Sequence, residues 1–354
     1  MNTFGTRLRL TTFGESHGPA MGGVLDGFPP GVRLDVERLE REMARRRPGA
    51  DPLTSPRREA DRVEILSGFS AGGVSLGSPI GFIVRNTGQR SSDYDSLADI
   101  YRPNHADYTY ERRYGRRDPR GGGRASARET VSWTAAGALA AMWLDTLGVA
   151  VQAVVTRVGA VDAGDVFDLY IRKGERKAPL EVNPSLRAAM EEQVAEARRR
   201  GDSVGGRVGC LLTGLPAGIG DPVADKLQAR LAMAMMSING AKAFEYGIGT
   251  AAASSLGSDT ADRFALDEEG KVVTLTNHSG GIQGGISNGM PVFFSVSFKP
   301  TPTIAHSLET LDTGLHPITM EARGRHDPCI ALRGAAVVEA MTRLTIADMI
   351  LSSR

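Results

Sequence analysis

Five segments of the chain repeat apolar residues at the spacing of one helix face. The clearest covers 35–47, where Leu39 and Met43 share a face, Asp35 can cap the first turn and Pro48 ends the helix. The same reasoning predicts further helices over 126–147, 184–200, 221–238 and 333–352.

Other runs alternate apolar and polar residues or are rich in β-branched side chains, which predicts strands. They cover 8–13, 63–69, 79–85, 149–161, 207–214 and 292–298. Strands and helices follow one another without the regular alternation that builds a parallel sheet. The pattern therefore predicts an α+β fold with antiparallel sheets. No linker or shift of composition divides the chain, and we predict a single domain over 1–354.

Composition adds limits on location and chemistry. The 43 glycines and the low aromatic content, 6%, indicate many tight turns and close backbone approaches. The N-terminal segment lacks the apolar core of a signal peptide, and no apolar run is long enough to cross a membrane. The two cysteines, Cys210 and Cys329, lack a spacing typical of zinc or disulfide frameworks. We expect a cytoplasmic protein without a metal site.

Charge is balanced over the whole chain but concentrated in one segment. The sequence has 42 Lys+Arg against 41 Asp+Glu, yet eight arginines lie between Arg102 and Arg128, together with His105 and three glycines at 121–123. Converging guanidinium groups select phosphates and carboxylates, and glycines let backbone N–H groups approach an anion. The helix predicted over 126–147 begins here with its free N–H groups. This segment predicts a site for a small polyanion.

Nucleic-acid binding is the rival interpretation of the arginine segment. The net charge of only +1, the lack of interleaved aromatic residues and the lack of a recognition motif disfavour it. A second basic cluster, 45–47, also has two interpretations. Its cations suit the C-terminal end of a helix dipole, or they bind an anion, and the sequence leaves both open.

Two of the six histidines lie where a titrating imidazole has a use. His17 follows a predicted strand in the segment 14–18, Gly-Glu-Ser-His-Gly, and His105 lies among the arginines. An imidazolium can protonate a leaving phosphate oxygen near neutral pH. The segment superficially suggests a serine hydrolase, but a base adjacent in sequence cannot easily reach the Ser16 hydroxyl. We interpret Ser16 as a hydrogen-bonding residue instead.

Two later segments are candidates for contacts with a flat or phosphorylated ligand. The glycine-rich run 280–289 lacks the Gly-Lys-Ser/Thr of a P-loop but offers an exposed backbone surface. The run 299–303, Lys-Pro-Thr-Pro-Thr, follows a predicted strand and offers a cation and two hydroxyl groups.

Together these segments resemble the chorismate synthase family. The resemblance extends over nearly the whole chain and keeps the family's order. It rests on nine segments, 14–18, 45–49, 102–107, 122–130, 201–206, 237–240, 277–288, 299–303 and 324–329.

The resemblance implies a β-α-β layered sandwich, with antiparallel sheets around central helices, assembled as a homotetramer. It implies reduced FMN as cofactor and a 1,4-anti elimination that converts 5-enolpyruvylshikimate 3-phosphate into chorismate and phosphate. This is the last common step of the shikimate pathway to aromatic amino acids. An FMN-dependent oxidoreductase that consumes NADPH in a net reduction is the alternative, and no nucleic acid or membrane is expected as a partner.

Carried over residue by residue, the resemblance implies that His17 protonates the departing phosphate. His105 would protonate or polarise the reduced flavin, and Asp327 would assist a proton relay. Substrate anions are expected at Ser16, Arg46, Arg102, Arg128 and Arg325. FMN contacts are expected at Arg124, Ala125, Ser126, Asn239, Gly240, Gly284, Lys299, Pro300, Thr301, Pro302, Thr303 and Arg325.

One position departs from some relatives. A basic residue that they carry shortly after the segment 45–49 is replaced here by Pro52, with Arg57 or Arg58 as possible substitutes. No added reductase segment is evident, so we expect an external source of reduced flavin, although Arg46 would also suit a phosphate of NADPH.

Overall fold

The computed structural model describes residues 1–47, 49, 60–87, 97–172, 180–321 and 327–353. Pro52, Arg57, Arg58 and Arg325 lie outside these ranges. The helices within them are α1 Val36–Arg46, α2 Asp107–Tyr114, α3 Thr130–Thr146, α4 Val166–Arg172, α5 Pro184–Arg199, α6 Leu227–Met236, α7 Gly257–Thr260 and α8 Ala331–Ser352.

Strands make up most of the remaining regular structure in the described ranges. In chain order they are β1 Thr3–Phe4, β2 Arg9–Gly14, β3 Ala20–Asp26, β4 Val63–Ile65, β5 Ile80–Arg85, β6 Ile100–Tyr101, β7 Ala150–Val158, β8 Val161–Asp162, β9 Gly206–Thr213, β10 Ala241–Tyr246, β11 Phe264–Leu266, β12 Val272–Thr274, β13 Ile282–Gln283, β14 Ile286–Ser287, β15 Val292–Phe298, β16 Leu308–Asp312 and β17 Pro317–Met320.

Three predicted helices are confirmed nearly to the residue, as α1, α5 and α8. Asp35 caps α1 by accepting a hydrogen bond from the Arg38 N–H at 2.8 Å. The helix predicted over 221–238 is shorter and begins at Leu227, because the preceding residues turn back on themselves through a bond from the Asp221 N–H to the Asp225 carbonyl.

The helix predicted over 126–147 begins later, at Thr130. Two short 3-10 turns, Gly123–Ala125 and Ala127–Glu129, precede it. Helix α3 is apolar around most of its circumference and is buried along most of its length, as is α8. The two helices pack tightly because Gly137 has no side chain. A Cβ there would lie 2.5 Å from the Ala340 Cβ.

The first of two five-stranded sheets has the order β1-β2-β3-β5-β4, with every pairing antiparallel. Its buried side chains include Leu10, Leu25 and Phe82, which face α3 and the core. The sequence pattern did not predict β3, because Gly22 and Gly23 weaken its apolar signal. Gly22 is required there, since a Cβ would lie 2.6 Å from the backbone carbonyl oxygen of Phe82 on the paired strand β5.

The second sheet has the order β10-β15-β9-β7-β8 and is also antiparallel throughout. Helix α8 packs on β7 and β9, while α3 contacts β3 of the first sheet. The prediction of an α+β fold with antiparallel sheets is confirmed. Among the described helices, none combines the length and the apolar character that crossing a membrane requires.

Candidate active site

A cavity of about 650 Å³ lies where the end of α1, the turns before α3, the end of β15 and the start of α8 meet. This volume is typical of small-molecule sites. Among the described residues, its basic lining is Arg46, Arg102, Arg116, Arg117, Arg128, Lys299 and Arg333. Its acidic lining is Glu15, Asp107, Asp118 and Asp327. Cations exceed carboxylates, which favours anionic ligands.

Two of these arginines share one buried carboxylate. Arg46 Nη1 lies 3.1 Å from one oxygen of Asp61, and Arg128 Nη1 lies 2.5 Å from the other. Burial alone would raise the pKa of Asp61, but Arg46 and Arg128 outweigh it, and the pKa lies below its usual value. Asp61 therefore stays ionised and holds both guanidinium groups at the cavity.

A second carboxylate holds another pair. Arg102 donates to Asp107 through Nε at 2.7 Å and Nη2 at 2.6 Å, and Arg117 Nη1 lies 3.5 Å from the same carboxylate. Burial opposes ionisation of Asp107, but the bond and charge of Arg102 prevail and lower its pKa. Asp107 is the first residue of α2, a helix that the sequence analysis did not predict.

The arginine segment divides into exposed and enclosed members. Arg112 and Arg113 lie on α2 and face solvent. Helix α2 is polar on most of its surface, so it lacks the apolar period by which helices are recognised. The side chains of Arg102 and Arg128, in contrast, are 7% and 9% exposed. Their burial favours a small anion over a nucleic-acid backbone.

His105 lies on the cavity wall with both ring nitrogens bonded. Nδ1 is 3.1 Å from the Pro103 carbonyl, and Nε2 is 3.0 Å from the Thr303 hydroxyl. The carbonyl can only accept, so Nδ1 carries the proton and Nε2 accepts from Thr303. Burial, together with the charge of Arg102, lowers the pKa of His105 to about 4. The imidazole is neutral at pH 7 in the unliganded protein.

His17 lies directly behind the wall rather than in the lining. It is 8% exposed and packs against Gly121, where a Cβ would lie 3.2 Å from His17 Cε1. Asn86 fixes this loop by donating to two of its backbone carbonyls at 3.1 and 2.8 Å, and its oxygen accepts from Arg128 Nε at 2.9 Å. The His17 loop is thus tied to the arginine that Asp61 holds.

The two residues before His17 differ in position. Glu15 lines the cavity, and burial raises its pKa against the opposing charge of Arg124. Ser16 is buried, and its Oγ has no hydrogen-bond partner among the described residues. A Cβ on Gly121 would lie 3.5 Å from that hydroxyl, so Ser16 lies behind the same stretch of wall as His17.

The cavity lining contains most of the expected flavin contacts. Ala125, Ser126, Asn239, Gly240, Lys299, Thr301, Pro302 and Thr303 all line the cavity. Asn239 donates to the Ala125 carbonyl at 2.9 Å, while its own Oδ1 is buried without a hydrogen-bond partner among the described residues. Lys299 donates to the Asn104 carbonyl at 2.7 Å, and burial lowers its pKa.

Three expected flavin contacts are absent from the described lining. Arg124 turns away and binds Glu129 at 2.5 Å and the Thr12 hydroxyl at 2.7 Å. Pro300 and Gly284 are also outside it, Gly284 in the turn between β13 and β14. Arg325 lies outside the described residues.

Asp327 lies at the cavity beside a partner that the sequence analysis did not identify. Arg333 Nη1 is 2.5 Å from Asp327 Oδ2, and Arg333 Nε donates to the Arg46 carbonyl at 2.8 Å. Arg333 was predicted only as a helix residue, although a cation one turn into α8 was visible in the sequence. Asp61 and Asn86 gave no sequence signal, because each lies outside the motif segments.

Fold and cavity define this protein as an α+β protein with a cation-rich site for a small ligand. The sequence profile of the chorismate synthase family matches residues 8–351. The chain belongs to that family, which confirms the resemblance seen in the sequence.

Relatives and a solved structure agree with this assignment. The chain is 47% identical to a chorismate synthase of Parabacteroides distasonis over 352 residues, covering 99% of this chain and 98% of the relative. It is 48% identical over 351 residues to the enzyme of Bacteroides thetaiotaomicron, covering 98% and 97%. A crystal structure of a chorismate synthase superposes with a TM-score of 0.75 at 28% identity, covering 99% of this chain and 93% of the other.

Proposed function

We propose that this protein is a chorismate synthase that converts 5-enolpyruvylshikimate 3-phosphate into chorismate and phosphate. Family membership over nearly the full chain supports the reaction, and the cation-rich cavity is the single structural observation that carries it. The substrate has a phosphate and two carboxylates, and such groups are bound by arginine forks. Arg46, Arg102 and Arg128, with Ser16 and Arg325, are proposed to hold them.

Reduced FMN is proposed as the cofactor, and the lining offers groups that fit it. The buried Asn239 Oδ1 requires a donor such as a ring N–H, and the ammonium group of Lys299 suits a phosphate. Bound reduced flavin would supply electron density transiently, without net redox change. Ala125, Ser126 and Gly240 would contact the flavin. Further expected contacts are Arg124, Gly284, Pro300, Pro302 and Arg325.

The proposed proton chemistry uses His17, His105 and Asp327. His17 would give a proton to the departing phosphate oxygen from behind Gly121, in the manner of a general acid. His105 is neutral before ligands bind and its Nε2 accepts from Thr303, so it would polarise the cofactor through that hydroxyl group. A bound polyanion would offset the charge of Arg102 and raise the pKa of His105. Asp327, oriented by Arg333, would accept a proton in the relay.

An anaerobic assay tests the reaction directly. Protein, chemically reduced FMN and 5-enolpyruvylshikimate 3-phosphate should yield chorismate and phosphate in equal amounts. His17→Ala and His105→Ala should each lower turnover about a hundredfold or more, with the fold checked by circular dichroism. Steady NADPH consumption with net reduction of the substrate would instead identify an FMN-dependent oxidoreductase. Turnover at the wild-type level in both variants would remove the histidines from the mechanism.

We also propose a cytoplasmic homotetramer with an external source of reduced flavin, built as a β-α-β layered sandwich. The apolar side chains of Phe264, Leu266 and Val272 on the β11–β12 hairpin are more than half exposed, which supports burial against another copy. Native mass spectrometry measures the assembly, and a monomer would contradict it. Oxidation of NADPH by the protein with FMN alone would contradict the external reductant and favour Arg46 as a nucleotide contact.

A further inference from the structure

Asp61 combines two features that are unusual in one residue. Its side chain is 0% exposed, and its backbone has a φ of +47°, a left-handed conformation that few residues other than glycine adopt. A buried carboxylate is costly unless it is paired, and strained backbone is often found at functional sites. Asp61 itself does not line the cavity, but both arginines that it binds do.

The two arginines are fixed by more than this shared carboxylate. Arg46 donates through Nε to the Thr130 hydroxyl at 3.1 Å and through Nη2 to the Ala127 carbonyl at 2.9 Å. Arg128 donates through Nε to Asn86 at 2.9 Å. Each guanidinium is therefore oriented by a bond to Asp61 and by further acceptors, two for Arg46 and at least one for Arg128.

We propose that Asp61 is a positioning residue that preorganises Arg46 and Arg128 for the anionic groups of the substrate. The inference rests on the proposed function, since it concerns the same cavity. Two adjacent guanidinium groups repel each other, and without a carboxylate between them they would separate or become mobile. With Asp61 in place, the orientation is established before the ligand arrives, so that less ordering is required on binding.

The substitution Asp61→Asn separates this positioning role from the effects of backbone conformation and of charge. Asparagine is enriched in the left-handed region, so the backbone at position 61 can be kept. Its amide can accept from one arginine but turns an NH₂ group toward the other. Removing a negative charge near the cavity would, by charge alone, strengthen anion binding. Weaker binding can therefore only reflect loss of positioning or of the fold.

Glu339→Gln is the matched control for the fold. Glu339 is also a buried carboxylate that bridges two arginines, with Arg45 at 2.8 Å and Arg343 in direct contact. Glu339 and these two arginines are absent from the described lining of the cavity. Asp61→Asn and Glu339→Gln should both lower thermal stability, but only the change at 61 should alter ligand binding.

The experiment measures 5-enolpyruvylshikimate 3-phosphate binding by calorimetry without flavin, and turnover with chemically reduced FMN, in wild type and both variants. We expect Asp61→Asn to bind about tenfold or more weakly and to raise KM more than it lowers kcat, with Glu339→Gln within about twofold of wild type. Equal or tighter binding by Asp61→Asn, or an equal loss in both variants, overturns the inference. Absence of turnover in wild type refutes the proposed function instead.

Thr130→Val provides a second test if Asp61→Asn does not fold. It removes the acceptor of Arg46 Nε with little change of shape, and it leaves Asp61 in place. We expect binding to weaken several-fold with kcat nearly unchanged. Unchanged affinity in this variant shows that the fixed orientation of Arg46 is unimportant, which overturns the inference.

Discussion

Arg45 and Arg46 are adjacent in sequence at the end of the same helix, but their side chains lie in different ion networks. The Arg45 guanidinium binds Glu339 at 2.8 Å and Glu42 at 3.0 Å, on the side of α8 away from the cavity. The Arg46 side chain is 2% exposed and binds Asp61 at the cavity. The basic cluster at 45–47 is thus divided between an ion network beside α8 and the cavity, and anion binding by Arg46 stays a prediction.

The two regions differ in their balance of charge. Around Arg45, two arginines meet two carboxylates, since Arg343 joins Glu42 at 3.0 Å and also contacts Glu339. In this core ion network the charges balance, although the Arg45 side chain is 43% exposed. Burial raises the pKa of Glu42, but Arg343 and Arg45 outweigh it and keep the carboxylate ionised. Among the described residues the cavity instead has more cations than carboxylates, and an anionic ligand would balance them.

Removing one arginine from each region should give the largest contrast. Arg46→Ala removes an anion ligand and a partner of buried Asp61, so kcat/KM should fall about a thousandfold or more, equivalent to about 4 kcal/mol. Arg45→Ala should lower the free energy of unfolding while kcat/KM stays within about threefold. Urea denaturation and steady-state kinetics measure both quantities. Similar kinetic losses in the two variants would show that the regions are not separate.

The pH dependence of stability should distinguish His105 from a surface histidine. The pKa of His105 is about 4 in the folded protein, against 6.5 ordinarily. Between these values the unfolded chain binds a proton that the folded protein does not, so the free energy of unfolding falls by about 3 kcal/mol as pH drops from 6.5 to 4. Above pH 6.5 the imidazole is neutral in both the folded and the unfolded chain, so this loss of stability is absent there.

Two variants check this prediction by urea denaturation across that pH range. His105→Gln should show a shallower fall of stability toward low pH than wild type. His306→Gln, at an exposed position, should keep the wild-type slope. An unchanged slope in His105→Gln would contradict the neutral, buried imidazole.

Salt should affect the cavity more than the core ion network. Raising NaCl from about 0.1 M to about 1 M shortens the screening length from about 10 Å to about 3 Å. Substrate binding should weaken several-fold, because the ligand comes from solvent to an excess of cations. The midpoint of thermal unfolding should change little in comparison. Salt-independent binding would contradict the role assigned to that excess of charge.

The smallest effect is expected at the two buried thiols. Burial raises the pKa of Cys210 to about 12 and that of Cys329 to about 11, and the thiolate is the reactive form. Neither should react with iodoacetamide at pH 8 in the folded protein, with or without substrate, as mass spectrometry would show. Cys210 lies beside Thr342 on α8, so labelling induced by substrate would mean that binding opens the core.

Much of the fold was accessible from the sequence, and the exceptions have physical causes. Helices with caps and a clear apolar face, such as α1 and α5, were placed within a residue or two. Strand β3 was missed because Gly22 and Gly23 give no apolar signal. The close packing of Phe13 and Phe82 on these glycines arises only in the folded chain. Helix α2 was missed because its stability comes from contacts such as Asp107 with Arg102, which a local pattern does not contain.

The candidate site was predicted as a set of cations but not as an arrangement. The motif segments supplied Arg46, Arg102 and Arg128, and the structure brings all three to one cavity. The carboxylates that orient them were not recognised, because Asp61 is far from Arg128 in sequence and stands in no motif. Pairing across such separations depends on tertiary structure, which residue types alone do not encode.

The contact between Gly137 and Ala340 has a consequence for the shape of the site. Helices α3 and α8 both start at the cavity, where Thr130 and Arg333 belong to its lining. Gly137 lies seven residues along α3, about 10 Å from that end. A methyl group added there would act as a wedge between the two helices and spread their starting ends. The spacing of the cavity walls is thus governed at a distance, by the absence of one carbon atom.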